Sequence, residues 1–396
     1  MPTQTYFRFD FRTSVSAGAG ARAFLPAHMK EFTARRWMII TDQGIVNAGI
    51  IDKLMELFTG PHDLHIVTVF DEVLQDARMS LVNKAAEAGR QMAVEGILAV
   101  GGGSVLDTAK GVKILLAAGL TDIAETVPAN TGLYVGELAK PLNIPHIAIP
   151  TTAGTGSEVS PIAVFLNETD HVKANLLHPY INADIAILDP ELTVGLPPKI
   201  TAFTGFDALT HAIEGVAWPY QGQMYDALGL QSIRLVEQNL EKAVANGADV
   251  DARMNLLTAS CMAIMSFPGL GAIPVHNCAH ALGAMYNIPH GLANAVFLPI
   301  VMEALPEVYL PKIAQIADAL GIKEKAAPEE LLQMTVAKIR AMQNETGLPA
   351  NFLEFGPKPE EMQQTIMNVI TDPSGLVFKI PLERLIKILG KALFGM

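Results

Sequence analysis

Ile97-Leu-Ala-Val-Gly-Gly-Gly-Ser-Val-Leu-Asp-Thr-Ala-Lys110 decides the fold. Residues 97–100 are a short apolar run suited to a buried strand, and from Val105 to Ala118 the apolar residues recur at helical spacing. Between them lies a glycine turn. Glycines let a phosphate approach the backbone, and the unbonded N–H groups and positive dipole of a helix start favour an anion. A nicotinamide dinucleotide pyrophosphate would fit there. The turn is not the GxGxxG fingerprint, however, and a glycine-rich turn between strand and helix also serves as a plain tight turn.

On either side the same alternation continues. Residues 37–41 and 65–70 read as strands, 45–58 as an amphipathic helix, 81–94 as a helix and 146–149 as another strand. Strand and helix in turn imply crossover units and a parallel sheet. Residues 6–12 alternate Phe7, Phe9 and Phe11 with Arg8, Asp10 and Arg12, the pattern of a half-buried strand with an exposed edge. Past Pro190 the texture changes, and long 3.6-period segments take over at 227–245, 308–320 and 329–346. The chain therefore divides near residue 192 into an α/β domain (1–192), which the glycine turn makes the candidate dinucleotide-binding domain, and an all-α domain (193–396), whose candidate role in metal binding rests on the residues taken up below.

Composition narrows the function. A chain of 396 residues, half of them apolar, can bury two cores. A net charge of -12 argues against a nucleic-acid partner. Two cysteines agree with a reducing compartment, and the start MPTQTYFRFDFR lacks the pattern of a secretory signal, so a cytoplasmic location is expected. A mean hydropathy of +0.30 and a run without Asp, Glu, Lys or Arg from Met254 to Met302 raise a membrane reading. Pro268, Pro274, Pro289 and Pro299, with four glycines, cut that run into pieces too short to span.

Two further stretches point to a ligand. Asp42 follows the strand at 37–41, where a carboxylate can accept from a ribose hydroxyl and repel a 2′-phosphate, favouring NAD; it can equally cap the next helix. Pro150-Thr-Thr-Ala-Gly-Thr-Gly-Ser-Glu158 crowds hydroxyls and small residues at the end of a strand.

The uncharged run also carries His276, His280 and His290, and Asp207 and His211 lie four apart in a helical segment. A lone histidine in an apolar segment is commonly a hydrogen-bonded core residue. Three of them with no formal charge nearby are costly to bury unless something accepts their lone pairs. One carboxylate with imidazoles forms a set suited to Fe(II) or Zn(II).

GGGSVLDTAK (101–110), PTTAGTGSE (150–158), GFDALTHAIEG (205–215) and VHNCAHALGAMYNIPHG (275–291) resemble, in order, the signatures of the iron-containing (group III) alcohol dehydrogenases. The resemblance implies a Rossmann-like N-terminal domain, a helical C-terminal domain, and metal and cofactor in the cleft between them. It implies Asp207, His211, His276 and His290 as metal ligands, and His280 close to the metal on the proton path. Gly102, Gly103 and Ser104 would hold the pyrophosphate of NAD, with Asp107 among the cofactor-binding residues and Asp42 at the position of NAD preference. Thr151, Thr152, Thr155 and Ser160 would line the cofactor site, Lys173 would reach its ribose, and Phe267 would wall the substrate pocket. The implied reaction interconverts a small primary alcohol or diol and its aldehyde, in a homodimer or higher homo-oligomer. Polyol oxidation of the glycerol dehydrogenase kind, or lyase chemistry of the dehydroquinate synthase kind, is the alternative on this fold. The chain departs from the family at Gln75-Asp76-Ala77, at Ala281 and at Thr371-Asp-Pro-Ser-Gly375, positions that bear on the cofactor's adenosine and the pocket edge.

Overall fold

A computed structural model describes residues 9–60, 63–127, 133–135, 140–169, 172–218, 222–267, 273–286, 288–375 and 377–396. The chain forms two compact units. One holds Phe11–Thr152 and Ser157–Leu196; the other holds Pro197–Met396 together with Ala153–Gly156 and the described residues 9–10.

The first unit is α/β, as expected. Its strands are β1 (Ser14–Ala17), β2 (Arg36–Ile40), β3 (His65–Phe70), β4 (Gly96–Gly101), β5 (Leu133–Val135), β6 (His146–Pro150), β7 (Ile162–Asn167), β8 (Val172–Leu177) and β9 (Ile185–Leu188). Six of them form one sheet in the order β1-β9-β6-β4-β2-β3, and every pairing in it is parallel. Its central strands are buried on both faces, which explains their unbroken apolar runs. β5, β8 and β7 make a second, small sheet with an antiparallel β7–β8 pair that the sequence reading did not anticipate. Helices α1 (Leu25–Lys30), α2 (Gln43–Asn47), α3 (Ile50–Met55), α4 (Met79–Gln91) and α5 (Gly103–Ala118) complete the unit.

Two expectations fail here. The single helix at 45–58 is broken: α2 ends at Asn47, and Gly49 adopts φ 69° before α3 begins, a left-handed conformation that suits glycine. The N-terminal strand lies partly outside the described residues, and residues 9–12 are not strand. Phe9 packs edge-on against Tyr225 at 5.2 Å and Arg12 lies 4.4 Å over the Tyr180 ring, so side-chain anchoring replaces pairing until β1 begins at Ser14.

The second unit is helical: α6 (Pro198–Ala217), α7 (Gln223–Ala245), α8 (Val250–Met265), α9 (Pro274–Tyr286), α10 (His290–Ala304), α11 (Pro306–Tyr309), α12 (Ile313–Ala319), α13 (Pro328–Glu345), α14 (Met362–Thr371) and α15 (Leu382–Phe394). α6 is buried all round from Gly205 to Ala217 and α10 from Gly291 to Met302, so both are core helices. The helix expected at 308–320 is interrupted by a 3₁₀ turn at Leu310–Lys312, since Pro311 cannot donate to a continuing helix.

The prolines of the uncharged run act differently from one another. Pro274 opens α9 and Pro289 precedes α10, whereas Pro299 stays inside α10. A proline there strips the Ala295 carbonyl of its helical donor, and the buried Gln343 side chain supplies one from Nε2 at 3.3 Å. Among the described residues no single helix is long and apolar enough to cross a membrane.

Candidate functional site

α6 brings three polar side chains onto one stripe. Asp207, His211 and Glu214 stand at i, i+4 and i+7 in an otherwise apolar helix, so they share a face. α9 adds His276 and His280, and α10 adds His290 at its first residue and Asn294 one turn on.

The ligating atoms of Asp207, His276 and His290 all lie within 4.8 Å of one another. Asp207 is the hub: its Oδ1 is 3.6 Å from His290 Nε2, 3.8 Å from His276 Nε2 and 3.7 Å from His211 Nδ1. His211 stands beside this trio, its ring centroid 4.3 Å from that of His276. His280 is one place further out, its ring 5.1 Å from His290 and its Nδ1 3.5 Å from Asp372 Oδ1. Asp372, from the departing segment near the C-terminus, also accepts from the Ser374 N–H at 2.9 Å. Phe267 closes a side of the cluster, 5.3 Å from His211 and 5.5 Å from His276 between ring centroids.

Electrostatically the cluster calls for a cation. Asp207 and Glu214 are almost fully enclosed, with side chains 3% and 0% exposed, and no Lys or Arg pairs with either among the described residues. Burial works to raise the Asp207 carboxyl, but His211, His290 and His276 hold it well below the usual carboxylate range. Burial, with His276 beside it, drives His211 down to about 3. Burial opposes charge on His276 too, yet Asp207 and Glu214 push it up to about 9. His276 Nε2 and His211 Nδ1 are buried without a hydrogen-bond partner. Buried lone pairs around carboxylate charge fit a divalent ion.

Two residues of this site were not singled out in the sequence. Asn294 donates from Nδ2 to Asp207 Oδ1 at 2.7 Å and stands 3.2 Å from His290 Nε2. Its signal was the four-residue spacing from His290. Glu214 accepts from the Val275 N–H at 2.7 Å and meets His276 Nδ1 at 2.5 Å. Its signal was the seven-residue spacing from Asp207.

In the α/β unit the glycine turn opens α5 with Gly102 at the N-cap, and no side chain caps the helix start. A Cβ on Gly102 would sit 3.2 Å from Thr152 Oγ1, so these two chain segments run close together. Thr151 Oγ1 is buried without a partner. Other expected cofactor residues have protein partners. Ser104 Oγ accepts from the Asp76 N–H at 3.0 Å, and Lys173 pairs with Asp76 at 2.9 Å. Asp107 accepts from Ser157 Oγ at 2.5 Å and from the Val164 N–H at 2.9 Å, beside the buried Lys110. Ser160 Oγ accepts from the Ile162 N–H at 3.1 Å. Asp42 caps α2, its Oδ1 accepting from Ile45 N–H at 3.0 Å. Thr155 falls in the short segment that belongs to the helical unit.

Two family models match most of the chain: iron-containing alcohol dehydrogenase over residues 13–190, and the C-terminal domain of the Fe-containing alcohol dehydrogenases over 201–381. The chain belongs to the iron-containing alcohol dehydrogenase family. It is 34% identical over 381 residues to long-chain-alcohol dehydrogenase 1 of Geobacillus thermodenitrificans, covering 96% of this chain and 93% of that one. It is 31% identical over 361 residues to the NAD-dependent methanol dehydrogenase of Bacillus methanolicus, covering 90% and 91%. A crystal structure of 1,3-propanediol oxidoreductase superposes with a TM-score of 0.88 at 29% identity, covering 98% of this chain and all of that one. This iron-containing alcohol dehydrogenase is thus an oxidoreductase acting between alcohols and their carbonyl products, as the four sequence signatures implied.

Proposed function

We propose that the chain interconverts a small primary alcohol or diol and its aldehyde by hydride transfer with NAD, using a divalent cation, Fe(II) in preference to Zn(II), held by Asp207, His211, His276 and His290. The observation that carries the reading is the convergence of three imidazoles on one buried carboxylate that no Lys or Arg neutralises among the described residues. When bound, such an ion acts as a Lewis acid toward the substrate oxygen, lowering the pKa of an alcohol and polarising an aldehyde.

The chain's own residues do the rest. Phe267 supplies an apolar wall against two of the imidazoles and keeps water from the reacting carbon. His280 takes the hydroxyl proton and passes it on, with the Asp372 carboxylate 3.5 Å from its Nδ1. The uncapped start of α5 at Gly102, Gly103 and Ser104 receives the pyrophosphate, with Thr151 and Thr152 beside it. Asp42 disfavours a 2′-phosphate, which supports NAD over NADP. The NAD dependence of the methanol dehydrogenase relative supports the same choice. The reading extends to a cytoplasmic homo-oligomer, supported by the two-cysteine composition and by β1 at an edge of its sheet.

The test is a screen of protein prepared without oxygen and loaded with Fe(II) or Zn(II), using short alcohols with NAD and short aldehydes with NADH. Net, cation-dependent change in NADH absorbance is expected. Its absence across the panel would replace this reading with lyase chemistry, in which NAD is only transiently reduced.

A further inference from the structure

We infer that Glu214 is a positioning residue that fixes the tautomer and orientation of His276. The inference rests on the reading of His276 as a metal ligand. Glu214 lies on the α6 stripe seven residues after Asp207, yet it does not face the centre that Asp207 organises. Its carboxylate is divided between two donors of α9. Oε1 accepts from the Val275 N–H at 2.7 Å, and Oε2 meets His276 Nδ1 at 2.5 Å.

Geometry makes this a clamp. The Val275 N–H belongs to the first turn of α9, where backbone donors have no partner within the helix and an anion is favoured. With Oε1 held there, Oε2 has one place to be. A carboxylate oxygen only accepts, so Nδ1 keeps its hydrogen, and Nε2 is the nitrogen that would give up its proton and offer a lone pair to a cation. That Nε2 is the atom 3.8 Å from Asp207 Oδ1 and without a hydrogen-bond partner. Histidines that bind metals depend on such outer partners for tautomer and ring angle, and losing one weakens affinity roughly 10–100-fold.

Glu214→Gln is the decisive substitution because it keeps the shape and reverses the logic. Its amide oxygen can still accept from Val275, but its NH₂ then faces His276 and requires Nδ1 to be the acceptor. The imidazole hydrogen moves to Nε2 and blocks the ligating atom. Metal-stripped full-length protein is titrated with Zn(II) against a chromophoric chelator for the native chain, Glu214→Gln and His276→Ala. Glu214→Gln is expected to bind roughly 10–100-fold more weakly, with His276→Ala weakened at least as far. Native affinity in Glu214→Gln alongside loss in His276→Ala overturns the role given to Glu214. Native affinity in His276→Ala overturns the ligand reading beneath it.

A second measurement does not depend on how the variant folds. In the Zn(II)-loaded native chain, long-range nitrogen–proton correlation spectra are expected to place the His276 hydrogen on Nδ1, shifted downfield by its short hydrogen bond. A hydrogen on Nε2 overturns the inference.

Discussion

Gly291→Ala asks whether the spacing of two helix backbones sets the site's geometry. Gly291 follows His290 at the start of α10 and rests against α6. A Cβ there would stand 2.2 Å from the Phe203 carbonyl oxygen, 2.8 Å from its carbon and 3.3 Å from Asp207 Cβ. Real Cβ contacts stay above 3.0 Å, so the backbones must part by about 0.8 Å (3.0 less 2.2). The obstacle is backbone, and no side-chain rotation relieves it. Overpacking of this kind costs about 1–3 kcal/mol. For a helical unit of this size that lowers the melting temperature by roughly 2–12 °C. The displacement also falls between His290 and Asp207, now 3.6 Å apart. Because ligand positions must hold within about 0.5 Å, cation affinity is expected to fall tenfold or more. Calorimetry of the metal-free protein reads the first effect and chelator competition the second. An alanine variant that melts with the native protein and binds Zn(II) equally well would refute the reasoning.

His280→Ala is expected to reduce turnover by about 10²-fold or more while metal content stays near native; loss of the metal instead would show that His280 is a ligand. Asp107→Ala removes acceptors from Ser157 Oγ, Val164 N–H and the buried Lys110 at once. A loss of about 3 kcal/mol in urea unfolding is expected, and one below about 1 kcal/mol would show the network to be dispensable. Burial pushes the Glu158 carboxyl up to about 7, against its backbone hydrogen bond and Lys110. The folded form thus holds this proton more tightly than the unfolded one. Its contribution is complete below the unfolded value and is lost as pH rises through 7, by up to ~3 kcal/mol. Glu158→Gln should flatten stability between pH 5 and 7.5, and an unchanged slope by urea titration would exclude Glu158 as its source.

Most of the candidate site was legible because the residues that compose it are written in local spacing. Asp207 and His211 four apart declare a shared helix face whatever lies around them, and the run from Ile97 to Ser104 declares strand, turn and helix start. Glu214 was harder. A carboxylate three residues after His211 gains its meaning only from Val275 and His276, 62 residues from Glu214 to His276 along the chain. Asn294 was hidden likewise, since only the packing of α10 on α6 brings it to Asp207. Periodicity also overruns breaks whose cause is conformational. Apolar residues keep time through 45–58 and 308–320, while Gly49 and Pro311 end the helices. Pro299 shows the reverse, a nominal breaker kept inside a helix because Gln343, 44 residues later, satisfies the freed carbonyl.

The division of the candidate centre among α6, α9 and α10 has a thermodynamic consequence. Asn294 and Asp207 are 87 residues apart in sequence, and the loops between them must close before any two helices contribute to one ion. The unfolded chain therefore offers at most neighbouring pairs such as Asp207 with His211, and most of the cation affinity belongs to the assembled bundle. By mass action, an ion at a hundred times its dissociation constant would add about 2.7 kcal/mol to the folded state. Metal supply would then set the standing population of folded enzyme as well as its rate.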